Sequence, residues 1–308
     1  MPMMPPPVPS HVPALLAPIL DRARGARRVV DATLGHGGHA KAFLAAGAAV
    51  LGIDRDPEAL AIATARLAGE QLTTILGVYS DPAVLHAVEE FGPDFILLDL
   101  GVSSRQLDDT TRGFTFRPGA PLDMRMGPDA RTAGEWLAGV EEAELTRVLR
   151  EWGDEPQARR LARELIRRRE HAPLSTSDDL VNAIRAVLGA RSGPGDFARI
   201  FQAVRIAVND ELAGLERALP AMLAALTPGG TLAVISYHSG EDRVTKGAFR
   251  DWAAGCSCPP GLPQCICDTR PLGVSVPRKA IVAEPAEIAT NSRARSARLR
   301  FFRKADAS

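Results

Sequence analysis

Carboxylates that end apolar runs are the first chemistry this sequence offers. Asp99 closes Phe95-Ile96-Leu97-Leu98, and a charge set against a buried strand needs a partner or a task. Asp54 closes Ala49-Val50-Leu51-Gly52-Ile53, where a carboxylate can accept both hydroxyls of a ribose. Asp31 closes Arg28-Val29-Val30 and leads into Gly35-His36-Gly37-Gly38-His39. Glycines there let backbone approach a ligand closely, and a helix start behind them favours negative charge. His238 follows the apolar run 231–236, and the two tyrosines, Tyr79 and Tyr237, both follow such runs. Each residue also has a purely structural use. The glycines can make a tight turn, Asp54 can cap a helix, Asp99 can accept loop amides, and His238 can pack.

The four cysteines are clustered as Cys256-Ser257-Cys258 and Cys265-Ile266-Cys267. Four sulfurs can hold a tetrahedral zinc, but Cys-x-Cys spacing fits one metal awkwardly. Reduced thiols in a Pro-rich loop are the preferred reading, with no metal expected.

The elements that must position these groups alternate. Strands are expected at 28–33, 49–54, 73–78, 94–100 and 231–236, with helices after the first three. Asp56-Pro57 and Asp81-Pro82 each pair a capping residue with proline at a first helical position. Strand–helix alternation means βαβ units and a parallel sheet, and strands apolar throughout are covered on both faces. From about 106 to 207 the rhythm breaks into helical periodicity at 141–151, 155–169, 177–188 and 196–208. Helices at 211–226 and 242–252 and tail strands at 279–282 and 297–303 complete the pattern. Ligands of such a sheet bind beyond the carboxyl ends of its strands, which is where Asp31, Asp54, Tyr79, Asp99 and Tyr237-His238 fall.

Composition sets the outer limits. The chain has 308 residues, is 45% hydrophobic and carries 37 basic and 37 acidic side chains, so it is globular and formally neutral. No apolar run reaches membrane-spanning length and no signal peptide opens the chain, so a cytoplasmic protein with no membrane partner is expected. The neutrality is a sum of unequal parts. Residues 270–304 hold nine Arg/Lys against two Glu, a local +7 offset by −7 elsewhere, which suits a localised nucleic-acid footprint.

Longer strings carry more than spacing. Asp31-Ala-Thr-Leu-Gly-His-Gly-Gly-His39, Gly52-Ile-Asp-Arg-Asp-Pro57, Leu97-Leu-Asp-Leu-Gly-Val-Ser-Ser104 and Gln106-Leu-Asp-Asp109 resemble the RsmH (MraW) family. So do Arg112-Gly-Phe-Thr-Phe116, Pro121-Leu-Asp-Met-Arg-Met126, Phe201-Gln-Ala-Val-Arg-Ile-Ala-Val-Asn209, Ile235-Ser-Tyr-His-Ser-Gly-Glu-Asp-Arg243 and Asn291-Ser-Arg-Ala-Arg-Ser296. The resemblance runs in order from about 11 to 303. It implies a Rossmann-like class I methyltransferase fold, α/β with a mostly parallel sheet, interrupted by an all-helical insertion. The implied domains are a flexible Pro-rich start at 1–13, a discontinuous catalytic domain at 14–108 and 206–308, and a substrate-recognition insertion at 109–205. The implied activity is S-adenosyl-L-methionine-dependent methylation of a cytidine N4 in the decoding region of small-subunit ribosomal RNA. The implied cofactor residues are Gly37, Gly38, His39, Asp54, Tyr79, Asp99 and Gln106.

For catalysis, Asp99 or the adjacent Leu100 carbonyl is the expected acceptor for an N4 hydrogen, with His238 as the second choice, as proton acceptor or base orienter. Arg117, Arg125 and Arg205 can grip phosphate or form ion pairs. The chain departs from the family at Gly240, where leucine is usual, and at Tyr79, where phenylalanine is common. It has Asp99-Leu-Gly-Val where amino-methylating enzymes often carry an Asp/Asn-Pro-Pro-aromatic turn. An NAD-dependent oxidoreductase, permitted by the loose glycine fingerprint, and a non-catalytic RNA- or zinc-binding module are the rival readings. The sequence leaves open naked RNA against the assembled 30S particle, and monomer against homodimer.

Overall fold

In the computed structural model, Arg28–Asp31 (β1), Ala49–Asp54 (β2), Leu72–Leu76 (β3), Phe95–Asp99 (β4) and Thr231–Ser236 (β5) form the parallel part of one sheet. Gly273–Ser275 (β6) and Ile281–Val282 (β7) pair antiparallel with Arg298–Lys304 (β8), itself antiparallel to β5. The order is β3-β2-β1-β4-β5-β8-β6, with β7 on β8. The structure describes residues 13–128, 130–255, 258, 267 and 270–307. Of the Pro-rich start expected to be flexible, 1–13, residues 1–12 lie outside them, as do Cys256 and Cys265.

The chain divides into two compact units, 1–100 with 216–308, and 101–215. In the first, Leu16–Arg22 (α1), Gly38–Ala45 (α2), Pro57–Arg66 (α3) and Pro82–Phe91 (α4) accompany the first four strands. The strands β4 and β5 are buried along their lengths. Apolar side chains pack on both faces of the sheet, with Phe43 against Phe95 of β4 at 5.7 Å on one and Phe249 against Phe302 of β8 at 5.3 Å on the other. The strand β3 lies at the edge and is only half-buried, so it tolerates the polar Thr73 and Thr74 within an otherwise apolar run. It stops at Leu76, short of the expected Val78, because the Asp81 carboxylate takes the Val78 N–H at 3.1 Å and turns the chain. The Asp56 carboxylate accepts the Glu58 N–H at 3.0 Å, confirming the cap written as Asp-Pro.

The second unit has its own core and, among its described residues, no sheet strand. It comprises Ser104–Asp108 (α5), Ala133–Gly139 (α6), Glu142–Glu151 (α7), Ala158–Arg169 (α8), Ser177–Leu188 (α9) and Pro194–Asn209 (α10). Residues at helical spacing, Leu145, Val148 and Leu149 on α7 and Leu161, Ala162 and Leu165 on α8, are fully buried there. Asn209 clasps the 124–126 segment, accepting the Met126 N–H at 2.9 Å and donating to the Met124 carbonyl at 2.8 Å. Glu211–Ala225 (α11) then leads the chain back to the first unit, where Ser239–Ala253 (α12) and Pro285–Thr290 (α13) complete the helices.

The Rossmann-like class I methyltransferase arrangement is therefore present, with a helical segment inserted after β4. A dinucleotide sheet has a parallel sixth strand next to the fifth; here that place belongs to the antiparallel β8. The short strand β6 was not expected, because three residues between Pro271 and Pro277 carry no readable alternation. No helix among the described residues is long and apolar enough to cross a membrane.

Candidate active site

The topology reverses between β1 and β4, neighbours whose connections run to opposite sides. A crevice opens at the carboxyl ends of strands at such a point. Register brings the three aspartates to this edge, with Asp31 beside Gly52 and Leu97, Asp54 beside Leu76, and Asp99 beside Ile235.

The turn after β1 is tied to both neighbours. The Ala32 N–H donates to the Leu97 carbonyl at 2.9 Å, the Leu34 N–H to the Ile53 carbonyl at 2.8 Å, and the Gly35 N–H to the Asp54 carboxylate at 2.7 Å. Gly37 is left-handed (φ 74°) and precedes α2; a Cβ there would lie 2.8 Å from a Leu67 methyl. Both space and backbone conformation thus require glycine. Gly38 opens the helix and His39 follows, buried. Asp54 also accepts the Asp56 N–H at 2.9 Å, and burial raises its carboxyl pKa. Tyr79 stands half-buried in the turn after β3.

Asp99 is the meeting point. Its Oδ1 accepts the Tyr237 hydroxyl at 2.9 Å, its Oδ2 lies 3.6 Å from His39 Nδ1, and its own N–H donates to Thr33 Oγ1 at 2.7 Å. His39 Nε2 faces the Ala14 carbonyl at 3.1 Å, an acceptor only, so that nitrogen carries a proton. Burial, reinforced by the Asp99 charge, pushes the Tyr237 phenol well above its ordinary pKa. Tyr237 therefore stays protonated and donates. Asp31 is fully buried; burial and the neighbouring Asp99 push its pKa up to about 7, against the Thr33 and Ala40 amides that lower it.

His238 caps α12. Its Nδ1 accepts the Gly240 and Glu241 N–H groups at 3.2 and 3.4 Å. The buried Glu241 carboxylate accepts the Tyr237 N–H at 2.7 Å and the His238 N–H at 3.3 Å. His238 Nε2 lies 3.2 Å from Glu241 Oε1, out of line for a hydrogen bond. With Nδ1 engaged as an acceptor, the imidazole orients the strand end that carries Tyr237. Gly240 does not loosen this start, because its own N–H is one of the bonds that close it.

Gln106 belongs to the second unit, where its Oε1 accepts the Ser103 N–H at 2.8 Å and its N–H donates to Ser103 Oγ at 3.2 Å. Arg125 forms a two-pronged pair with Asp123 at 2.8 Å, and Arg205 one with Glu211 at 2.9 Å, so both take the ion-pair role. Arg117 makes no such pair among the described residues. Cys258 and Cys267 are half-buried.

Sequence reasoning placed Tyr237 and Asp31 at the ligand edge without giving either a role, and it missed Glu241. The signal for Tyr237 is strand adjacency. Asp99 pairs with Ile235, so a side chain two residues further on reaches back over the strand end.

Chemically, the edge gathers three carboxylates with a hydrogen-bonded tyrosine and a buried histidine. Such a set complements a ligand with positive charge and hydroxyl groups, and it offers an oriented carboxylate to an N–H donor.

Related proteins agree with this reading. A ribosomal RNA small subunit methyltransferase H from Gemmatimonas aurantiaca is 59% identical, over 96% of this chain and 95% of its own length. Proteins with the same name from Heliobacterium modesticaldum and Myxococcus xanthus are each 45% identical, over 96% of this chain and 98% and 97% of their own lengths. The MraW methylase family matches residues 9–305, and with relatives this similar over nearly the whole length, the chain belongs to that family.

Proposed function

We propose that this chain is an S-adenosyl-L-methionine-dependent methyltransferase that modifies the exocyclic N4 of a specific cytidine in small-subunit ribosomal RNA. The observation that carries it is Asp99, held at the switch-point edge between the Tyr237 hydroxyl and His39. The carboxylate-rich edge fits S-adenosyl-L-methionine, which is cationic at sulfur and at its amino group and carries two ribose hydroxyls. That cofactor supplies a methyl group already activated by its sulfonium. In this proposal Gly37, Gly38 and His39 line the methionine part, Asp54 accepts the ribose hydroxyls, Tyr79 contacts the adenosine, and Gln106 completes the set.

The residues of the chain have two tasks. Cytosine N4 is a poor nucleophile because its lone pair is delocalised into the ring. Asp99, accepting one N4 hydrogen, helps relocalise that lone pair and receives the proton when the N–C bond forms. Tyr237, donating to one Asp99 oxygen, fixes the orientation of the carboxylate; His238, through the α12 cap, holds Tyr237 in place. The remaining requirement is in-line positioning of an unstacked base. We assign recognition of the RNA around that base to the helical segment 109–205.

Labelled methyl transfer to 30S particles and to naked 16S RNA from a deletion strain, with the product base mapped, tests this reading. Transfer to one cytidine N4 is expected, with Asp99→Ala transferring at least a hundredfold more slowly at saturating cofactor. Modification of another atom, or a near-native rate for Asp99→Ala, defeats it.

A further inference from the structure

A cavity of about 530 Å³ lies on the first unit, between the start of α12 and the segment that leads into β8. Arg243 and Lys246 line it from the helix, Arg295 and Arg298 from the segment that runs into β8, and Tyr237 and His238 line it as well. All four cations are exposed, and none has an ion-pair or hydrogen-bond partner for its side chain among the described residues. The one carboxylate in the lining, Asp242, is already matched by Arg300, with bonds of 2.8 and 3.1 Å.

This concentration is unusual for the chain. Arg147, Arg163, Arg167, Arg199 and Arg303 all pair with acids. Four uncompensated positive charges around one concavity repel each other and focus a positive potential into it. Two come from one helix at i and i+3 and two from a separate segment with the same spacing, so the charge lines both walls. The volume is in the range of a nucleotide-sized ligand. Its lining includes Tyr237, the residue that donates to Asp99.

We infer that this cavity is a phosphodiester channel, in which Arg243, Lys246, Arg295 and Arg298 hold the backbone of a single RNA strand beside the nucleotide presented to Asp99. The inference rests on the RNA-methyltransferase reading above and adds the surface that grips the strand. Contacts of this kind position the RNA without reading its sequence. An acidic protein segment is the competing occupant, and continuity with the Asp99 edge favours RNA.

The test uses full-length protein in three forms: native, Arg243→Gln/Lys246→Gln/Arg295→Gln/Arg298→Gln, and Arg295→Lys/Arg298→Lys. Binding to unmethylated 30S particles and to a synthetic single-stranded decoding-region RNA is measured across a salt series. S-adenosylhomocysteine binding reports folding. For the quadruple variant, RNA affinity is expected to fall at least tenfold and the slope of log affinity against log salt to flatten by about 3, at roughly 0.7 per lost charge. The loss in methyl transfer falls more on KM than on kcat, and the lysine variant keeps the native slope. An unchanged affinity and slope in a quadruple variant that binds S-adenosylhomocysteine normally overturns the channel. If native protein then still methylates the particle, the functional reading survives alone. If native protein methylates no RNA and the four charges instead bind an acidic ribosomal-protein peptide, both fall.

Discussion

Two residues decide how the site behaves chemically. Tyr237 donates to Asp99 from a buried position, and its raised pKa keeps the proton on the phenol at any working pH. Tyr237→Phe keeps the ring and removes that donor. Methyl transfer is expected to slow about tenfold, about 1.4 kcal/mol in the barrier, with little change in cofactor affinity; equal rates in single-turnover assays would dismiss the hydrogen bond. Asp31 acts through burial. Its folded pKa of about 7 lies above the unfolded value near 3.8, so the folded state retains a proton that the unfolded state releases. Stability is therefore lost as pH rises from about 4 to about 7, and no more is lost above that. Asp31→Asn has no such dependence. Its melting temperature, relative to native protein at the same pH, should climb between about pH 5 and pH 7.5 and then level off. A flat difference would show that the carboxyl is not protonated in the folded protein.

At the scale of elements, the start of α12 is what converts a strand end into a site. His238 accepts the Gly240 and Glu241 amides, and Glu241 returns bonds to the Tyr237 and His238 amides. Glu241→Ala leaves those two amides without their acceptor. A cost of about 1 kcal/mol in stability is expected, as for other lost caps, together with slower methyl transfer because Tyr237 is no longer held. Thermal unfolding and transfer rate, measured on the same preparation, check the pair of effects; loss of stability at unchanged rate would separate the cap from catalysis. Much of this level is legible in the sequence. Asp56-Pro57 announces a cap that forms, and the amphipathic runs at 142–151 and 177–188 fold within a residue of expectation. Short elements such as β6 and α6 are not legible. Their few residues carry no period, and pairing or packing with distant segments stabilises them.

At the scale of the molecule, two cores share no residues. One surrounds the sheet with Phe43, Phe95 and Phe301, the other gathers Leu145, Leu161 and Ile184. Unfolding in a calorimeter should then depart from a single two-state transition. S-adenosylhomocysteine should raise the transition of the sheet unit, which holds most of the proposed cofactor residues, by mass action on its folded form. Leu161→Ala, which empties a fully buried position, should lower only the other transition, by about 2–5 kcal/mol in stability. One transition that responds to both would refute the division. Charge is also unevenly available at this scale. In the basic stretch 270–304, Arg300 and Arg303 are taken by Asp242 and Asp306, and Lys304 donates to the carbonyls that end α11. Arg295 and Arg298 are left facing the cavity.

The sequence by itself determined the apolar strands, the glycine turn, the carboxylates that end the strands and the interruption of the sheet by helices. These are local matters of hydrophobic period, capping and backbone freedom, and neighbouring residues suffice to specify them. Tertiary structure alone decided that Asp99 meets Tyr237, that Asp31 is buried deeply enough to hold a proton near neutrality, and that four of the cations stand unmatched around one cavity. Those facts depend on which strands lie side by side and which charges find partners, and the partners are distant in the chain: Asp99 from Tyr237 by 138 positions, Asp242 from Arg300 by 58.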